Sequence, residues 1–187
     1  MTDLDLATRT GLPDALKVLL DAYPRQGWSD DPGFDELIRF WLERHVMFRD
    51  VLGRLQDTTR QRLDRSGDPQ RFLAELSRYG GFFVNQLHHH HTIEDAHYFP
   101  RLAGMDSRIA RGFDILDADH HALDTHLQAF VTGANAVLQS DDAARHDAAG
   151  RFLAQLDGLE GLLDRHLTDE EDLIVPVILR YGSAGLH

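Results

Sequence analysis

Four long segments of this chain carry apolar residues at helical spacing, and a histidine interrupts every one of the four rows. The first, over about 33–65, reads Leu37, Trp41, His45, Phe48, Leu52, Leu55. The second opens on Asp68-Pro69, an N-cap followed by a proline suited to a first turn, and reads Phe72, Leu76, Phe83, Leu87, His90, Glu94. The third reads Ile109, Phe113, Leu116, His120, Leu123, Leu127, Phe130, and the fourth Phe152, Leu156, Leu159, Leu163, His166, Glu170, Leu173, Val177. In the last two every step is three or four residues, the stripe of a helix that faces a bundle core. Strand signals are scarce. The pattern predicts an all-α fold, an up-down-up-down four-helix bundle over 33–181. An additional short N-terminal helix is expected from "GLPDALKVLLDAYP", where Leu12, Leu16, Leu19 and Tyr23 share a face. With the loop that follows it makes up residues 1–32. Residues 182–187 read as a flexible tail ending in His187.

The histidines in the apolar rows matter more than the rows. A buried ionisable group is costly unless it is paired or bound to a metal. Two of the histidines have a glutamate one turn further on, as His90-x3-Glu94 and His166-x3-Glu170. An i, i+4 pair lies on one face of one helix. The arrangement also repeats. It recurs after 75 residues from His45 to His120, and after 76 from His90 to His166, Glu94 to Glu170 and Pro100 to Pro176. Two helices then supply a histidine and a carboxylate each, and the other two a histidine each. Such a set suits two metal ions with bridging carboxylates. Imidazole and carboxylate without sulfur favour iron or manganese, with zinc or copper as alternatives.

The totals narrow the remaining classes. The 187 residues are 42% hydrophobic and 27% charged, which fits one globular domain. A formal net charge of -12 argues against nucleic acid and against an anionic membrane surface as partners. There is no cysteine, so disulfides, thiolate catalysis, iron–sulfur clusters and cysteine-type zinc sites are excluded. No apolar run approaches the roughly 20 residues of a membrane span. "MTDLDLATRT" lacks the basic-then-apolar order of a signal peptide, and a cytoplasmic protein is expected. A protein partner or a homodimer is open, with Trp28 and the N-terminal helix as surface for it.

The order H…HxxxE…H…HxxxE, with the phrases "HHTIEDAHYFP" and "HLTDEEDLIVP", resembles the hemerythrin-like HHE cation-binding family over about residues 34–180. The resemblance implies two iron ions in a non-haem, oxo- or hydroxo-bridged centre inside a four-helix bundle. By position, His45 and His90 would hold one iron, His120 and His166 the other, and Glu94 and Glu170 would bridge. The ligand implied is a small diatomic or a peroxide: dioxygen, nitric oxide or hydrogen peroxide. An iron- or oxygen-responsive regulatory role is the alternative. The oxygen carriers of the family have a fifth histidine in an HxxxH pair on the third helix. Here those positions are Leu116 and Asp124. Asp124 or another histidine completes the site, or one iron keeps an open position.

The remaining candidates read as follows. Within "HHHH" (88–91), His90 stands on the stripe and before Glu94; His91 shares a flank with Leu87 and Glu94 and is the next candidate, in a supporting role; His88 and His89 read as flank or surface. His97 lies near the site's face, and Glu94-x2-His97 matches the ExxH element of ferritin-like di-iron proteins, yet the second half offers only Leu173 and Ile174 there. His121, His126 and His146 read as surface. The "TDEED" run (168–172) reads as solvated apart from Glu170, with Glu171 a weaker alternative ligand. Gly80 and Gly81 read as a kink or a close helix contact. Pro100 and Pro176 are expected to end or bend their helices.

Overall fold

The structure is a computed structural model and describes residues 4–186; His187 and the first three residues lie outside the described residues. It is all-helical, with no strand among the described residues. A 3₁₀ turn, Asp14–Leu16, leads into α1 (Val18–Ala22), and a second, Arg25–Asp30, follows it. The long helices are α2 (Glu36–Leu63), α3 (Pro69–Ile93), α5 (Ala110–Gln139) and α6 (Asp142–Tyr181). Between α3 and α5 come a π-helical turn, Glu94–Tyr98, and the short α4 (Phe99–Met105).

The ends of these helices follow from side chains that satisfy otherwise orphaned N–H groups. Asp35 Oδ1 accepts from Ile38 N at 3.0 Å before α2, Asp68 Oδ1 from Gln70 N at 3.0 Å before α3, and Asp141 Oδ1 from Ala144 N at 2.9 Å before α6. Neither proline ends its helix. Pro176 stands inside α6, which runs on to Tyr181. Pro100 follows the π turn, where Phe99 N donates to Glu94 O. A proline ring collides with the carbonyl four residues back, here that of Ala96, and the widened π turn makes room for it.

The chain divides into two compact units, and the four long helices contribute to both. One unit comprises residues 47–89 and 122–163. Its centre is a ladder of four rings, one from each long helix: Phe48, Phe83, Phe130 and Phe152, with successive centroids 6.3, 5.6 and 5.2 Å apart. All four are at most 2% exposed. Gly80 makes a close helix contact rather than a kink. A Cβ there would lie 3.6 Å from the Phe130 ring, and α3 continues past it.

The other unit comprises residues up to Val46, His90–His121 and those from Asp164 on. Its apolar core joins Leu12, Leu16 and Leu19 from the N-terminal segment to Ile38 and Trp41, Phe99 and Leu102, Phe113, and Leu173 to Leu179 of α6. Trp28 is buried in this core, and its indole N–H donates to Tyr23 O at 2.8 Å, so it is not an exposed interface residue. Leu186 is buried here too. Gly112 marks where α5 meets α6: a Cβ there would come within 2.5 Å of Leu173 Cδ1.

Candidate metal centre

All six residues singled out by the repeat lie in this second unit, and five are buried to 3% exposure or less. His90 has a side chain 10% exposed. The ligand-type atoms fall into two groups, each within 4.8 Å: His45, His90, Glu94 and Glu170, and next to them His91, His120 and His166. Each of α2, α3, α5 and α6 brings at least one histidine.

The two glutamates lie between the groups. Glu170 Oε1 is 3.4 Å from His45 Nε2, and its Oε2 is 3.4 Å from His166 Nε2. Glu94 Oε1 is 3.0 Å from His90 Nε2, and its Oε2 is 3.6 Å from His120 Nε2. Each carboxylate therefore turns one oxygen to each group. Trp41, one turn before His45, donates its indole N–H to Glu170 Oε1.

Three histidines are held from behind by carboxylates. His45 Nδ1 lies 2.9 Å from Glu171 Oε1, His120 Nδ1 2.8 Å from Asp95 Oδ1, and His166 Nδ1 3.3 Å from Asp119 Oδ2. An ionised carboxylate only accepts, so Nδ1 is the donor in each pair. The Nε2 lone pair is left facing the centre, the arrangement that carboxylates impose on metal-ligating imidazoles.

Seven polar atoms at the centre make no hydrogen bond to protein. Both nitrogens of His91, both oxygens of Glu94, Nε2 of His120 and of His166, and Oε2 of Glu170 are buried without a hydrogen bond among the described residues. Each buried orphan costs about 1–3 kcal/mol. Cations at the two groups would meet these atoms, so the donor set fits metal. The electrostatics agree. Burial and the Glu170 carboxylate push Glu94 well above the usual carboxylate range. Burial lowers His90 to about 3 and, with the neighbouring His120 and His166, holds His91 well below the ordinary imidazole value. Burial alone would lower His45 as well, but the Glu170 and Glu171 carboxylates together outweigh it and the pKa is raised. His90 and His91 are thus held neutral, ready to donate a lone pair, while a bound cation would displace the protons that Glu94 and His45 favour in its absence.

His91 is the main addition to the sequence reading. It is 4% exposed and stacks on His120, with ring centroids 3.9 Å apart and planes at 12°. It is among the facing donors rather than behind them. The one signal for it was its flank position between Leu87 and Glu94, which a period of 3.6 cannot separate from a supporting place. Leu116 is core, and both Asp124 and His97 are exposed, so neither of these two completes the cluster. His88, His89, His121 and His126 are exposed; His146 is half-buried, not fully on the surface as expected.

The acidic run of α6 departs from expectation most. Asp169 and Glu171 are buried along with Glu170, not solvated. Arginines explain it. Arg9 and Arg165 pair with Asp169 at 2.8 and 2.9 Å, and Arg25 pairs with Glu171 at 2.8 Å.

A family model, the hemerythrin HHE cation-binding domain, matches residues 36–178. The chain belongs to this family of cation-binding helical proteins. No curated protein and no solved structure gives a significant match. No helix among the described residues is long and apolar enough to cross a membrane.

Proposed function

We propose that this chain is a non-haem di-iron protein that binds or reacts with a small diatomic or peroxide ligand, with dioxygen, nitric oxide and hydrogen peroxide as the candidates. In this reading His45 and His90 face one iron, His91, His120 and His166 the other, and Glu94 and Glu170 serve both, inside an up-down-up-down arrangement of α2, α3, α5 and α6. The observation that carries it is the placement of the two carboxylates, each with one oxygen toward each histidine group. A single ion has nothing to bridge; a pair of ions uses both carboxylates. Nitrogen and oxygen donors without sulfur suit iron or manganese, and the family resemblance favours iron between them. Bound iron supplies electron exchange and open coordination positions. The protein's part is to place the donors and to keep an unequal split, two histidines against three. The two-histidine side has fewer protein donors, which favours exchange of an outside ligand there. His91 takes the place that Leu116 and Asp124 leave unfilled.

Metal analysis and the visible spectrum of aerobically purified protein test this reading. About two irons per chain are expected, with near-ultraviolet charge-transfer bands of a coupled ferric pair. One zinc per chain and no such bands would overturn it. Azide, nitric oxide or peroxide should then perturb the bands. Spectra that none of the three changes would favour the regulatory alternative.

The histidine run gives a second, graded test. His90→Ala and His91→Ala should each lose iron, whereas His88→Ala and His89→Ala should keep the wild-type content. Full iron in His91→Ala would return that residue to a supporting role.

A further inference from the structure

We infer that residues 4–30 form a positioning strap for the metal centre, in which Arg9 and Arg25 each fix a carboxylate that in turn orients a ligand histidine. This rests on the metal-centre reading above. Both arginines lie before residues 36–178, so the strap is not among the residues the family model matches.

Two relays run in parallel within one unit of the structure. In the first, Arg9 grips Asp119 with both terminal nitrogens, Nη1 reaching Oδ1 at 2.6 Å and Nη2 reaching Oδ2. Its Nε donates to Asp169 Oδ2 at 2.8 Å. Asp119 Oδ2 is the oxygen that holds His166 Nδ1. In the second, Arg25 Nη1 donates to Glu171 Oε2 at 2.8 Å, and its Nε to Asp172 Oδ1 at 2.7 Å. Glu171 Oε1 holds His45 Nδ1. The relays end on one histidine of each group. Arg165 adds a tie between α6 and the segment by donating to Thr10 O at 2.7 Å.

The chemistry explains why arginine is used at both places. A carboxylate behind an imidazole raises its donor strength and sets its tautomer, but a loose carboxylate can swing away or take up a proton. The guanidinium of Arg9 fixes the Asp119 carboxylate plane at two points, that of Arg25 spans Glu171 and Asp172 with one bond to each, and both remain charged. The Arg9, Asp119 and Asp169 side chains are at most 3% exposed, so this charge set exists only while the segment is docked. Docking and metal binding are therefore linked. A docked strap raises metal affinity, and bound metal favours the docked strap by the same factor.

The test uses full-length protein. Ferrous iron affinity is measured by anaerobic competition with a chelator, for wild type, Arg9→Met, Arg9→Lys, Arg25→Met and Asp106→Asn. Asp106 is the control. It is a buried aspartate in the same unit, paired with Arg108 and Tyr181 and touching no histidine of the cluster. Arg9→Met and Arg25→Met are expected to lose about 10–100-fold in affinity, the usual effect of losing a partner behind a ligand. Arg9→Lys, which keeps the charge but not the fork, should fall between Arg9→Met and wild type. Asp106→Asn should match wild type. Arg25 is exposed, so Arg25→Met keeps the test open if Arg9→Met fails to fold. A second readout needs no metal. Nitrogen-15 spectra of the metal-free protein at alkaline pH should show the Nδ1–H tautomer at His166 and His45 in wild type. That tautomer should be lost at His166 in Arg9→Met and at His45 in Arg25→Met. Wild-type affinity and tautomers in both methionine variants would overturn the strap. A wild type that binds no metal would overturn the metal-centre reading instead, and the tautomer spectra would then decide the strap alone.

Discussion

Glu170→Ala protein is expected to leave purification with most of its metal gone, and the gap in melting temperature between metal-loaded and chelator-treated protein is expected to close. In wild type that gap should be on the order of 10 °C, because a ligand present at about a thousand times its Kd stabilises by about 4 kcal/mol, and each kcal/mol moves the melting temperature of a chain this size by about 2–4 °C. The effect is large because Glu170 serves two groups. Its oxygens stand 3.4 Å from His45 Nε2 and 3.4 Å from His166 Nε2, one histidine of each group. Removing it takes a donor from both groups and leaves the Trp41 indole N–H without its acceptor. Glu170→Gln keeps the shape and the indole contact but loses the charge, so it should retain part of the metal. Metal analysis with paired thermal melts measures both. Full metal content and an unchanged gap in Glu170→Ala would remove the bridging role.

Phe83→Ala should destabilise comparably for an unrelated reason. Phe83 is 0% exposed and stands in the ladder between Phe48 and Phe130, so truncation leaves a cavity walled by other rings and by the long helices. Phe-to-Ala changes in such cores cost about 3–5 kcal/mol, which is a fall of about 10 °C here. Metal per folded chain should stay at the wild-type level, since no residue of the ladder belongs to either donor group. The two variants together separate stability supplied by packing from stability supplied by the metal. A Phe83→Ala protein that stays folded yet carries no metal would contradict that separation.

Most of the fold was legible because helix burial is a local, periodic property. His45, Phe48, Leu52 and Leu55 fall on one face whatever the rest of the chain does, and all are buried. The same holds for Phe113 to Phe130 on α5 and for Phe152 to Val177 on α6. The prolines were harder. Whether Pro100 ends a helix depends on the turn before it, and a π turn is not written in the hydrophobic period.

The centre divides in the same way. One-turn spacing and the repeat were enough to single out His45, His90, Glu94, His120, His166 and Glu170, since residues on one helical stripe must share a face. What the sequence could not assign is everything set by side chains arriving from other elements. His91 joins His90 at the cluster although the two are 100° apart on the helix, each reaching a different donor group. Asp169 and Glu171 are buried because arginines 160 and 146 residues away neutralise them. Charge on a helix reads as solvated until its partner is known, and that partner comes from the N-terminal segment. The sequence by itself determined which faces are apolar and which six residues interrupt them. The tertiary structure decided which of the other charges and histidines turn inward, because burying a charge depends on a counter-charge that only folding brings near.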